Sequence, residues 1–349
     1  MIDEAHCVSE WGPDFRPEYQ DLGSIRQHLK TPLTLMITAT ATAEVQQDVI
    51  DKLGFNMGEV DVEAQPVNRS NIFLAAKIVS NEQAKITTLK DFLATVKGKG
   101  IIYFSSRSKA EAVAAQLTAA TRLKVLAYHG GMSNEDRYSV QQQFMNDQID
   151  VICATSAFGM GIDKPDIRFV VHFHIPANLQ SYMQEIGRCG RDGKKGIALA
   201  LFSDDDRFIH LGLLDKTIPT NNEIEYAYAH PDIEFNDDSY RVLQYYIQHQ
   251  VPLNKVKEIY ERRKNQRLVE LSQMIDYITS VTCRREKLLA SFQTGFTAES
   301  DFCCDLDSEF WVNKQRFVND HLINVTKPTL DSSVENWHQV IEQLFLSKN

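Results

Sequence analysis

The chain has 349 residues, 43% apolar and 9% aromatic, with 16 glycines and 10 prolines, a composition that buries a core and excludes a disordered, collagen-like or fibrous chain. Its 37 Lys and Arg stand against 47 Asp and Glu, a net charge of −10 that taken alone argues against a polyanionic partner. Six cysteines are too sparse for a disulfide framework, and no apolar run approaches the ~18 residues of a membrane span, so a cytoplasmic protein with no membrane partner is expected.

Strand and helix signals alternate along most of the chain. Residues 1–65 read as the later part of an α/β lobe, with a short apolar run at Leu33 to Thr38 and a helix at Thr42 to Leu53. The residues ahead of Asp3 should form a buried strand, and only Met1 and Ile2 stand there, so a lobe truncated at its N-terminal side is expected. A complete second lobe is expected over 66–203. Its signals are Gly100 to Phe104, Ser108 to Ala120, Lys124 to Tyr128, Ser133 to Asn146, Val151 to Ala154, Phe169 to Phe173, Asn178 to Glu185 and Gly196 to Phe202. Short apolar strands alternating with helices imply a parallel sheet. Residues 204–239 carry ten acids and two bases, a net of −8, and read as an acidic connector. A helical module is expected within 204–307, with six bases against two acids between Lys255 and Arg267, followed by a short tail at 308–349.

Three segments carry chemistry. The opening IDEAH places Asp3 and Glu4 at the end of the expected strand, where open α/β sheets bind ligands. Paired acids there suit nucleotide hydrolysis, one holding Mg²⁺ and the other orienting water. In QEIGRCGRDG, Arg188 and Arg191 lie three apart among glycines that should leave their guanidiniums unshielded, a spacing that matches phosphate oxygens. Between them, ATSAFGMGIDKPDIRFVVHF brings Thr155 and the amides of Phe158 to Gly161 to grip a sugar-phosphate chain, with Asp163 facing a nucleotide. The plainer readings are a solvated loop, surface ion pairs and an ordinary βα loop.

These segments, with SEWGPDFRPEY, TATAT, IIYFSSR and YHGGM, follow the order and spacing of the RecQ family of superfamily 2 DNA helicases, which the sequence resembles closely over 1–203 and more loosely to about 307. The resemblance implies RecA-like lobes with ATP and Mg²⁺ as cofactors. It makes Asp3 the metal-holding acid, Glu4 the hydrolytic base, and Arg188 and Arg191 the arginines that reach the γ-phosphate. Gln184, which opens the arginine motif, joins the nucleotide-binding set. Trp11, Phe15 and Arg16 would sense single-stranded DNA, Thr38 to Thr42 would couple nucleotide state to lobe motion, and Ser105, Arg107 and Thr155 would track the DNA backbone. Arg262 and Arg263, in the basic helical stretch, are DNA-contact candidates. The family implies 3′-to-5′ unwinding in recombination and repair, with single-stranded and partly duplex DNA as partner.

Departures from the family pattern matter equally. No G-x-x-x-x-G-K-S/T occurs in the 349 residues, so the phosphate cradle is missing from this polypeptide, and little or no ATPase activity is expected of it alone. A non-catalytic DNA-binding or regulatory module is therefore the alternative, and an RNA helicase a third reading. Pro13 stands where the family usually has histidine, and His174 replaces a frequent aspartate. The family's zinc module is recognisable in Thr282-Cys283-Arg284-Arg285, but aligning on Cys304 puts Asp301 and Asp307 where thiolates belong. The candidate Zn²⁺ ligands are thus Cys283 and Cys304, the plainer reading being that Cys283 is a buried small hydrophobe and the module packs without metal; the fold class expected overall is α/β with a degenerate zinc-type helical module.

Overall fold

The computed structural model describes residues 1–10, 16–65, 67–159, 162–232, 238–292, 303–306, 317 and 322–323. Two compact units divide the chain. One comprises Met1–Val67, Ile209–Ser272 and Ala290–Gly295, the other Asn68–Phe208, Gln273–Leu289 and Phe296–Asn349.

The first unit begins with α1 (His6–Glu10), α2 (Leu22–His28) and α3 (Ala43–Lys52). Thr42 starts α3 by accepting a hydrogen bond from the Val45 amide, the usual way a hydroxyl satisfies an orphan donor. Val45, Val49 and Leu53 of the helix then bury against Ala5 and Val8. The strand expected at Leu33 to Thr38 is reduced to one parallel bridge between Ile2 and Met36. Ile2 donates to Leu35 O at 2.8 Å and accepts from the Ile37 amide at 2.9 Å, and the Ala5 amide donates to Ile37 O at 2.8 Å. With no second neighbour among the described residues, Leu33, Leu35 and Ile37 stay exposed.

The second unit holds a six-stranded, wholly parallel sheet. In chain order it runs β1 (Ile72–Ile78), α4 (Glu82–Thr95), β2 (Lys99–Tyr103), α5 (Arg107–Ala120), β3 (Val125–Tyr128), α6 (Asn134–Met145), β4 (Val151–Ala154), β5 (Ile167–His172), α7 (Leu179–Ile186) and β6 (Gly196–Phe202). The spatial order is β1-β6-β5-β2-β4-β3. β4 and β6 are buried along their whole length, as strands covered by helices on both faces must be, which is why they read as unbroken apolar runs. β1 and α4 were not anticipated. Their signals are the run from Ile72 to Ala76, all buried, and Asn81, whose side chain caps α4 through the Ala84 amide at 2.9 Å.

Two distant pieces of chain complete this unit. Cys303–Asp305 lies along the outer side of β1: the Leu74 amide donates to Cys303 O at 3.1 Å and the Asp305 amide to Leu74 O at 3.0 Å. Phe317, from the expected tail, meets Phe73 edge to face at 5.0 Å and is buried in the sheet's core with Leu322.

α8 (Asp205–Thr217) follows β6. Asp206 at its start belongs to the stretch read as an acidic connector, yet it is 2% exposed and bonded to the equally buried Lys85 ammonium at 2.5 Å. Lys85 also donates to Phe173 O at 2.7 Å. Burial pushes the lysine's pKa down and the aspartate's up, each opposed by the partner's charge. The remaining helices are α9 (Asn221–Ala229), α10 (Asp238–Gln248), α11 (Leu253–Ile278) and α12 (Arg284–Ser291). In the first unit α9, α10 and the start of α11 share a core of Ile224, Val242, Leu243, Tyr246 and Val256.

Candidate active site

In the first unit the two acids occupy the turn between Ile2 and α1. Glu4 has φ +48°, a left-handed conformation that costs a non-glycine residue free energy and persists where surrounding bonds impose it. Those bonds are on both sides: the Glu4 amide donates to Asp3 Oδ1 at 2.9 Å and the Ala5 amide to Ile37 O at 2.8 Å. Asp3 is exposed and Glu4 partly so. Behind them His6, 5% exposed, lies 3.4 Å from Glu4 Oε2 and 3.0 Å from Thr38 Oγ1. Burial lowers the pKa of the imidazole, with the Glu4 charge opposing. The hydroxyl opening TATAT is thus tied to the DEAH histidine, a link that 32 residues of separation hid from the sequence.

In the second unit the arginine motif forms a glycine turn after α7, with φ +58° at Gly190 and +79° at Gly193. Its two guanidiniums differ. Arg188 is 5% exposed and donates to Gly159 O at 2.5 Å, so it is shielded, contrary to expectation. The room comes from the loop: a Cβ at Gly159 would stand 2.8 Å from Arg188 Nη2. Arg191 is more open, its side chain about a third exposed, and is paired with Asp163 Oδ1 at 3.0 Å and Ile162 O at 2.8 Å. Arg188, Arg191 and Asp163 therefore meet around the glycine loop, with Thr155 at its start donating its amide to Tyr128 O at 3.1 Å. Gln184 sits half-buried on α7. Tyr103 was overlooked in the sequence. Its hydroxyl donates to Phe158 O at 2.9 Å and also bonds Arg188, linking the loop to the arginine. His172 stacks on Tyr103 at 5.5 Å and bonds Glu185 at 2.8 Å.

The helicase conserved C-terminal domain matches residues 84–193. The probable ATP-dependent DNA helicase RecS of Bacillus subtilis (strain 168) is 42% identical over 224 residues, 64% of this chain and 45% of that protein. The ATP-dependent helicase SGS1 of Saccharomyces cerevisiae is 34% identical over 347 residues, 96% of this chain and 20% of the relative. The ATP-dependent DNA helicase RecQ of Pasteurella multocida is 40% identical over 228 residues, 64% of this chain and 35% of the relative. Over the length it spans, the chain is similar to RecQ-type helicases. It spans less than half the length of each of these relatives.

Among the residues that the RecQ pattern assigns to DNA, Ser105 donates its amide to His174 Nδ1 at 3.1 Å, which gives the histidine found in place of aspartate a structural task. Arg107 opens α5 and is exposed. Arg262 is exposed and Arg263 half-buried on α11, while Lys257 and Lys264 of the same helix pair with Glu225 and, at 3.4 Å, Asp215. Arg16 is exposed at the start of a 3₁₀ turn. Trp11, Pro13 and Phe15 lie outside the described residues, as do Met160 and Gly161 of the glycine loop.

The RecQ-type zinc segment brings three thiols together. Cys283, Cys303 and Cys304 place their sulfurs within 4.8 Å of one another, with Cys283 at 3.4 Å from Cys303 and 3.8 Å from Cys304. Cys303 is the member that alignment on Cys304 missed. Asp301 and Asp307 lie outside the described residues. Three clustered sulfurs suit Zn²⁺, which prefers thiolates in structural sites. Asp305 is not among the donors, since Arg284 Nε engages it at 2.5 Å and the Ala76 amide at 3.0 Å.

Proposed function

We propose that the chain serves a RecQ-type ATP-dependent DNA helicase that moves 3′ to 5′ on single-stranded DNA in recombination and repair, in the cytoplasm. The observation that carries the reading is the convergence of Arg188, Arg191 and Asp163 on the glycine loop in a chain similar to RecQ-type helicases. In this reading Asp3 would hold Mg²⁺ and Glu4 would accept the proton of the attacking water. Arg188 and Arg191 exchange their present partners, the Gly159 carbonyl and Asp163, for phosphate oxygens. ATP supplies the reactive phosphoanhydride when bound. Fixed cations at a transferring phosphoryl group are worth roughly 10³–10⁵ in rate. Arg107, Thr155, Arg262 and Arg263 meet DNA phosphates, and Arg16 with Trp11 and Phe15 meets bases. Cys283, Cys303 and Cys304 hold Zn²⁺, and protein purified without chelator should then carry well above ~0.2 zinc per chain; less overturns that part.

Because the 349 residues contain no G-x-x-x-x-G-K-S/T, the polypeptide by itself should hydrolyse little ATP. Robust DNA-stimulated hydrolysis by it would contradict this. The reading is tested by fusing a relative's first-lobe segment bearing that motif ahead of Met1. DNA-stimulated hydrolysis that Glu4→Gln removes supports the helicase, whereas DNA binding without hydrolysis returns the chain to a binding module. Equal affinity for RNA and single-stranded DNA of one sequence would favour the RNA-helicase reading instead.

A further inference from the structure

The turn that carries Arg188 and Arg191 spends its amides on backbone carbonyls, Gly190 donating to Ile167 O at 2.8 Å and Asp192 to Pro165 O at 3.1 Å, while its own carbonyls are met from behind by two side chains just ahead of β1. Arg69 Nη1 donates to Gly187 O at 3.1 Å, and Nη2 to Cys189 O at 3.0 Å and Gly190 O at 2.8 Å. Asn71 Nδ2 donates to Gly190 O and Lys194 O, both at 2.8 Å, and its backbone carbonyl accepts from the Gly196 amide at 2.9 Å. Five side-chain bonds thus converge on four carbonyls between Gly187 and Lys194. The turn is shaped around them: a Cβ at Gly190 would come within 2.6 Å of Asn71 Nδ2.

The chemistry of the two donors suits the task. A guanidinium presents several N–H groups in a rigid fork, so a single arginine spans three carbonyls of the turn where a lysine would serve them singly. Bonds from a charged donor are about twice as strong as neutral ones. The stretch that bears these residues is gripped in turn by α12, where Arg285 Nη1 donates to Asn68 Oδ1 at 2.9 Å and to Arg69 O at 3.0 Å. Arg285 follows Cys283 by two residues, so the thiol cluster, α12, residues 68–71 and the arginine turn form one bonded series within the second unit.

We propose that Arg69 and Asn71 are positioning residues for Arg188 and Arg191, fixing the backbone of their turn so that phosphate meets a preformed pair of guanidiniums. The role in phosphate binding rests on the function proposed above; the backbone positioning does not. Preorganisation of this kind removes an ordering cost at the moment of binding.

Two variants test it in the full chain. Arg69→Lys keeps the charge and loses the fork, and Asn71→Asp keeps the shape and turns a donor into an acceptor facing two carbonyls. Hydrogen–deuterium exchange across residues 187–194 is expected to quicken by about tenfold or more in each, while β2 and β5 keep their protection and the melting temperature moves little. Binding of inorganic tripolyphosphate is expected to weaken by a similar factor and to be lost in Arg191→Ala. Unchanged exchange over 187–194 in both variants overturns the proposal, as does exchange that rises evenly through β5 and β6, the mark of general support. Tripolyphosphate binding that Arg191→Ala leaves intact counts instead against the phosphate reading, and the exchange result still decides the positioning.

Discussion

The two units handle charge in opposite ways. In the sheet unit, charged groups are drawn inward and bonded: Lys85 with Asp206, Arg284 with Asp305, Arg188 with the Gly159 carbonyl. In the first unit Asp3 and Glu4 stand at an open turn, held by backbone bonds and a strained φ rather than by counter-ions. Acids left open remain available to a metal and water, whereas cations that are already bonded must trade one partner for another. The difference assigns rigidity to the unit that carries the arginines and accessibility to the one that carries the acids.

The largest way to break this contrast lies at Lys85. Removing one partner of a buried ion pair leaves the other charge without compensation, so Lys85→Met or Asp206→Asn should destabilise the sheet unit by about 3–5 kcal/mol, read as a lower urea midpoint. A loss below about 1 kcal/mol would show that the pair is not desolvated as its burial indicates. Next come the arginines. Arg188→Ala deprives a buried carbonyl of a charged donor and should cost about 1–3 kcal/mol. Arg191→Ala severs only a half-open surface pair and should cost under about 1 kcal/mol. Equal losses would erase the distinction between the two guanidiniums.

The smallest effect belongs to the first unit. Burial lowers the His6 pKa below its ordinary 6.5, so the unfolded chain takes up a proton there before the folded one does. That contribution to stability is present above pH about 6.5 and is lost as pH falls from 6.5 through the lowered folded value. Melting temperatures followed between about pH 7 and 5 should therefore fall less steeply in His6→Gln than in the unsubstituted chain; parallel curves would place the imidazole in solvent.

How much could be read in advance follows from how local each signal is. β4 and β6 run over the residues of VICA and GIALALF, because a strand buried on both faces writes itself as a continuous apolar run. β1 escaped because its partner, β6, lies more than a hundred residues further on, and nothing in a local window shows that pairing. Leu33 to Thr38 carries an apolar signal as clear as that of β4, yet forms a single bridge, since a strand is completed by neighbours and not by its own pattern. The site divides the same way. Asp3, Glu4, Arg188 and Arg191 announce themselves as motifs. Their supports, His6 with Thr38, Tyr103 with Arg188, and Arg69 and Asn71 behind the glycine turn, act across 32 to 123 residues of chain. Asp206 is one of ten acids in the acidic connector, and net charge says nothing about which of them finds a lysine.

The short stretch Cys303–Asp305 has a consequence for solubility. A parallel sheet ends in a row of unpaired amides and carbonyls that any extended chain can adopt as a template. β1 is such an outer strand, and Cys303 and Asp305 occupy the middle of that row, with the Asp305 carboxylate taking the Ala76 amide as well. The segment that brings the thiols together is therefore also what keeps this side of the sheet from joining another molecule's, so releasing it would expose the protein to association strand by strand.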